Sequence, residues 1–186
     1  MTSNPEKAAL RKHLLEKRDS MSFEIMGFHN QKILSKLKKM KSFSQAQSIG
    51  CYYSIGSEVQ TNDLIKALLS EKKIVSLPQV CDDTMVFRRI EDITKLETGN
   101  FDIPEPKESC PIQETHDVIL VPCIGLDNNG NRIGYGYGFY DKYLSKNEST
   151  KIALAYSKQI VKSIPNSEHD VKMDWIVTET DVIKIS

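Results

Sequence analysis

The chain has 186 residues, 39% hydrophobic and 27% charged, and its 25 lysines and arginines are balanced by 25 aspartates and glutamates. That is the size and balance of a globular domain with a core of its own. A net charge of zero offers no global attraction to nucleic acid or to an anionic membrane, so an anionic ligand must be held by a local cluster of positive groups.

The longest apolar run, residues 118–126, is far too short to cross a bilayer. Residues 1–12 are charged and lack an apolar signal core. Cys51, Cys81, Cys110 and Cys123 are far apart and form no CxxC pair. Three of them lie in or beside apolar runs, as buried free thiols do, which is consistent with a reducing compartment. The expected location is cytoplasmic.

In chain order, residues 4–19 read as a helix, with Asn4 as its cap, Pro5 in its first turn, and Leu10 and Leu14 on one stripe. Ser22 caps a second helix over 23–40, where Ile25, Ile33, Leu34, Leu37 and Met40 recur at near-helical spacing. Residues 48–53 form a short buried strand. A turn through Gly56 leads to a helix opened by Thr61 or Asn62 and carrying Leu64, Ile65, Leu68 and Leu69. A strand over 73–77 is expected to halt at Pro78, and another covers 85–90. The proline-bearing stretch 99–111 reads as irregular surface chain.

Residues 117–122 are the clearest strand, and Asp127-Asn-Asn-Gly130 is a strong turn. The glycine-rich segment 134–138 leads into a short helix through Tyr143 and Leu144. Strands are expected at 152–156 and finally within 175–185. Strands alternating with helices predict an α/β fold with a mostly parallel central sheet, organised as one domain over 1–186.

Four segments are candidates for chemistry. In Asn131-Arg-Ile-Gly-Tyr-Gly-Tyr-Gly-Phe-Tyr-Asp141, three glycines alternate between a strand and a helix. Glycines let backbone N–H groups approach an anion closely. Arg132 can add a fork to a phosphate, and Asp141 can offer Mg²⁺ a carboxylate. The spacing is neither the dinucleotide fingerprint nor a Walker A loop; on spacing alone a flexible loop of exposed tyrosines is the simpler reading, and the flanking Arg132 and Asp141 favour a phosphate loop.

Lys7, Arg11 and Arg18 share one face of the first helix, where a solvated basic face is the ordinary explanation. Glu58 follows the strand at 48–53, at the strand end where α/β sheets bind ligands, but also fits a plain turn carboxylate. Asp174 reads equally as a second metal carboxylate or as a helix cap. His13, His29, His116 and His169 show no metal-ligand spacing. With no GxSxG elbow and no Cys/His pair, a covalent nucleophile is not expected.

Together these segments resemble the 5-formyltetrahydrofolate cyclo-ligase family, also called methenyltetrahydrofolate synthetase. The carrying pieces are Lys7-x-x-Leu-Arg11 with Arg18, then Tyr53, Glu58 and Thr61. Asn100-Phe-Asp-Ile-Pro-Glu-Pro106 follows, then Val121-Pro122 leading into the glycine segment through Asp141, and Asp174-Trp-Ile-Val-Thr-Glu179. Their order and spacing, spanning residues 7–179, carry the resemblance more than any one piece.

The resemblance implies a three-layer α/β/α fold. It also implies a reaction in which ATP and Mg²⁺ drive closure of 5-formyltetrahydrofolate to 5,10-methenyltetrahydrofolate through a phosphorylated formyl group, an iminium phosphate, releasing ADP and phosphate. On this reading Lys7, Arg11, Arg132, Ile133, Gly134, Tyr135, Gly136, Tyr137, Gly138, Phe139 and Tyr140 contact ATP. Tyr53, Glu58 and residues 135–139 face the folate, Asp141 and Asp174 hold Mg²⁺, and Glu58 and Arg132 are the catalytic side chains.

The expected partner is this small molecule, with or without a polyglutamate tail. A monomer that binds neither nucleic acid nor membrane is expected. Other members carry Arg or Lys at some loop positions where this chain has Tyr135 and Tyr137, and often Tyr where it has Phe139. Those departures keep open an alternative, a family-like module that binds folate or nucleotide without turnover. A different ATP-dependent phosphotransferase is a further rival.

Overall fold

The structure, a computed structural model, describes residues 5–186; the expected cap at Asn4 lies outside the described residues. Helix α1 (Pro5–Asp19) begins on a proline, whose fixed φ and missing N–H suit a first turn. Helix α2 (Phe23–Lys39) starts where the Ser22 hydroxyl accepts from the Ile25 N–H at 3.4 Å, and the short α3 (Lys41–Ser44) follows it.

The chain then runs β1 (Ser48–Gly50), α4 (Asn62–Ser70), β2 (Ile74–Cys81), β3 (Thr84–Ile90), β4 (Leu96–Thr98), β5 (Pro104–Pro106) and β6 (Val118–Val121). It continues through β7 (Gly125–Asp127), β8 (Arg132–Ile133), α5 (Phe139–Leu144), β9 (Thr150–Leu154), β10 (Ile160–Val161), β11 (Trp175–Val177) and β12 (Val182–Lys184).

Seven strands form the central sheet in the order β12-β11-β9-β6-β1-β2-β3. The inner five are parallel, and the edge strands β3 and β12 are antiparallel to their neighbours. Alternation along each strand sorts the core into two layers. Val118 and Leu120 of β6 join the layer with Ile33, Leu37, Leu64, Ile65 and Leu68 from α2 and α4. Ile119 and Val121 turn the other way, into a layer with Leu144, Met173 and Ile176. The architecture is α/β with helices on both faces, as a three-layer α/β/α arrangement requires. Helix α1 is seated elsewhere, with Leu14 packed among Ile124, Ile133 and Ile164 against the small sheet of β7, β8 and β10.

The connection from β1 to β2 through α4 and that from β6 to β9 through α5 lie on opposite faces of the sheet. The adjacent strands β1 and β6 therefore flank a topological switch point, where the carboxyl ends of parallel strands leave a crevice.

Three expectations need correction. Pro78 does not end its strand; β2 runs on to Cys81 and pairs Pro78 with Phe87. The β1–β2 register stops at Gly50 opposite Ser76, so β2 at Pro78 has a neighbour on one side only, which tolerates a missing donor. Within the stretch read as irregular, Pro104–Pro106 forms β5, which pairs antiparallel with β4. The last strand is a hairpin of two, β11 and β12.

Candidate active site

A cavity of about 1000 Å³ opens over the carboxyl ends of the parallel strands. Tyr52 and Tyr53 beyond β1, Pro78 and Val80 of β2, and Pro122 beyond β6 all line it. Lys7 and Arg11 come from α1, and residues 132–142 form a continuous wall. All the site residues expected from the sequence line this one cavity except Asp174.

The glycine segment is held from behind by α1. Arg11 donates Nε–H to the Gly134 carbonyl at 2.8 Å. Gly136 has φ of +105°, and a Cβ there would stand 3.2 Å from the Arg11 guanidinium, so a side chain would meet both backbone strain and crowding. Arg132 and Asp141 close the base of the loop, with Nη2 donating to Oδ2 at 2.9 Å and the arginine side chain only 5% exposed. The second Asp141 oxygen accepts from the Val171 N–H at 3.1 Å. Two buried polar atoms of this wall, Arg132 Nε and the Tyr140 hydroxyl, have no partner within the protein.

At the other side stands Glu58, 5% exposed. Its Oε2 accepts from the Ile55 N–H at 3.0 Å, and its Oε1 accepts from the Tyr135 hydroxyl at 3.0 Å. Burial pushes its pKa above the ordinary value, against the pull of the Ile55 N–H, Arg18 and Tyr135. The cavity mouth carries an aromatic stack. Tyr137 lies 5.8 Å from Phe139 and 4.7 Å from Phe101, which reaches in from the turn between β4 and β5.

Asp174 is elsewhere. It precedes β11, at the amino end of a parallel strand, where Oδ2 accepts from the Lys151 N–H at 2.7 Å and pairs with the Lys151 ammonium at 3.0 Å. Asp141 is at the opposite end of the sheet, so the two do not share a site. The carboxylate that does join the cavity is Asp170, next in sequence to the residue whose N–H reaches Asp141. Lys7 donates to Asp170 Oδ2. Burial favours the neutral acid there, but the hydrogen bonds from Lys7 and from the Ser167 N–H hold its pKa below the ordinary value.

Sequence reading missed Asp170 because it lies in a polar loop with no periodicity, 163 positions from Lys7. It missed the lining role of Phe101 and Glu105 because it gave their segment no structure.

The chain as a whole has counterparts among known proteins. The sequence profile of the 5-formyltetrahydrofolate cyclo-ligase family matches residues 3–179. The chain belongs to this cyclo-ligase family. It is 30% identical to mouse 5-formyltetrahydrofolate cyclo-ligase, with 96% of each chain covered. It superposes on Aquifex aeolicus 5,10-methenyltetrahydrofolate synthetase with a TM-score of 0.88 at 31% identity, covering 96% of this chain and 92% of that one. For the Mycoplasma pneumoniae synthetase the TM-score is 0.76 at 27% identity, covering 93% and 98%.

The cavity of this family member carries groups that fit an anionic ligand and a divalent cation. Lys7, Arg11 and Arg132 supply positive charge, and Arg132 Nε and the Tyr140 hydroxyl are buried donors with no protein partner. Among the described residues no group of three or more His, Cys, Asp or Glu is placed to hold a metal ion. Asp141 and Asp170 supply two carboxylates, and Mg²⁺ is commonly held by one or two carboxylates with phosphate and water completing its shell.

Proposed function

We propose that this chain closes 5-formyltetrahydrofolate to 5,10-methenyltetrahydrofolate, using ATP and Mg²⁺ and releasing ADP and phosphate. One observation carries the reading. A single cavity joins a cationic, glycine-walled end to an end built around a desolvated carboxylate and aromatic rings. The family assignment supports the same reaction class.

When bound, Mg-ATP supplies the phosphoryl group that makes the formyl oxygen a leaving group, by way of an iminium phosphate. Phosphoryl transfer needs positioning and charge neutralisation more than a covalent nucleophile, which fits the residues present. Lys7, Arg11, Arg132 and the loop from Gly134 to Gly138 take the phosphates, and Arg132 offsets their charge. Asp141 and Asp170 are the residues to hold Mg²⁺. Glu58, an acceptor-only group, takes N–H donors of the folate ring and orients it, with Tyr53 and the aromatic residues 135, 137 and 139 flanking the ring.

The test is absorbance of the methenyl product after mixing protein, 5-formyltetrahydrofolate, ATP and Mg²⁺. A rise that requires all three additions supports turnover. Folate binding without any rise supports the non-catalytic alternative, and points to Tyr137 and Phe139 as the substitutions responsible.

A further inference from the structure

Arg18 is the last basic residue of α1 and is 3% exposed, although nothing in its helical position demands a buried charge. Each nitrogen of its guanidinium donates to a different segment. Nε donates to the Ser57 hydroxyl at 2.8 Å, Nη1 to the Cys123 carbonyl at 3.3 Å, and Nη2 to the Tyr135 hydroxyl at 3.1 Å. The Tyr135 hydroxyl has one proton and passes it on, donating to Glu58 Oε1 at 3.0 Å. The direction is consistent along the chain, from guanidinium to phenol to carboxylate. It spans α1, the glycine loop and the turn after β1, segments up to 117 positions apart.

We propose that Arg18 is a positioning residue of the substrate pocket, which acts through the Tyr135 hydroxyl to hold Glu58 as a carboxylate turned to the cavity. The proposal rests on the reading of Glu58 as a folate contact. Burying an unpaired carboxylate is costly, and a charge that cannot titrate is the reliable compensation. The other titratable groups around Glu58 do not provide it. Tyr52 beyond β1, Cys123 beyond β6, Tyr140 of α5 and Tyr135 itself all have pKa values pushed up by burial, to about 12 for Cys123 and Tyr135. Tyr156, beyond β9, donates its hydroxyl to the Glu58 carbonyl at 3.4 Å and is likewise pushed to about 12 by burial. All are neutral through the working pH range. Asp19 lies one hydroxyl further out, accepting from Ser57. Arg18 is the permanent charge in reach, and its attraction opposes the effect of burial on Glu58.

The experiment is a carbon-13 NMR titration of the Glu58 carboxyl in the protein alone, assigned by its absence in Glu58→Gln. Arg18→Met and Tyr135→Phe should both move the Glu58 titration to higher pH, and Arg18→Lys should largely restore it. Affinity for 5-formyltetrahydrofolate at the acidic end of the range should fall by about 10-fold or more in Arg18→Met, the loss expected for a charge-assisted hydrogen bond. Glu58 titrating at the wild-type pH in both Arg18→Met and Tyr135→Phe would overturn the proposal, whatever happens to activity. Should Arg18→Met fail to fold, Tyr135→Phe decides alone, because it removes one hydroxyl from a side chain that is 42% exposed. The titration needs no turnover, so failure of the wild type to form methenyl product would count against the functional reading separately.

Discussion

Arg132 and Asp141 stand on either side of the glycine loop and meet at its base, 2.9 Å apart. The pair shuts the loop as a clasp and at the same time presents a guanidinium and a carboxylate to the cavity. Replacing Asp141 with Ala therefore has two consequences. Methenyl formation should be lost, and the folded state should weaken by about 1.5–3 kcal/mol, the usual worth of a hydrogen bond to a charged group. Absorbance and urea unfolding measure the two separately. Wild-type turnover in Asp141→Ala would remove this residue from the site.

Arg11 acts on the same loop from α1. Arg11→Ala deletes the hydrogen bond to the Gly134 carbonyl and a positive charge on the cavity wall. The expected outcome is an increase of about 10- to 100-fold in KM for ATP and faster hydrogen exchange at residues 134–138. Unchanged exchange would mean that the loop keeps its shape without this contact.

Asp170 and Asp174 separate two readings of the metal carboxylates. Asp170→Asn should impair Mg²⁺-dependent turnover and raise the Mg²⁺ concentration needed. Asp174→Asn should leave turnover intact and reduce stability by no more than about 1 kcal/mol, since its pair with Lys151 is half exposed. The reverse pattern in a Mg²⁺ titration would return Asp174 to the site.

His116 should make stability pH-dependent. It is 7% exposed, with Nε2 2.6 Å from the Ser76 hydroxyl, and burial lowers its pKa from 6.5 to about 4, against the pull of Asp117. The folded pKa lies below the unfolded one, so the unfolded chain binds the extra proton between those values. This contribution is complete above about pH 6.5 and is lost as pH falls towards 4, amounting to about 3 kcal/mol in all. Urea unfolding across that window should slope for the wild type and flatten in His116→Gln.

Gly130 tests the turn between β7 and β8. Its φ is +83°, and a Cβ would stand 2.9 Å from the Met173 carbonyl, a backbone atom that cannot move aside cheaply. Gly130→Ala should cost about 1–3 kcal/mol, read as a lower urea midpoint with unaltered slope.

Much of the site was legible beforehand because it is local. Glycines at 134, 136 and 138, with Arg132 before them and Asp141 after, form one continuous wall, so their spacing already describes it. Asp174 was misplaced although a signal existed. It immediately precedes an expected strand of a parallel sheet, and a residue before such a strand belongs at the amino end, away from the ligand crevice. Pro78 misled for a related reason, since the tolerance for proline depends on where the neighbouring strand stops.

The alternation of strands and helices, the glycine wall and the family are all readable along the chain. The first two are written in near-neighbour residues, whose periodicity reflects which face is buried, and the family in the order of short motifs along residues 7–179. The tertiary structure alone decided that Lys7 meets Asp170, that Arg18 reaches Glu58 through Tyr135, and that Phe101 stacks on Tyr137. Those contacts join distant segments brought together by strand order and by the docking of α1 on the small sheet, and no local pattern encodes such pairings.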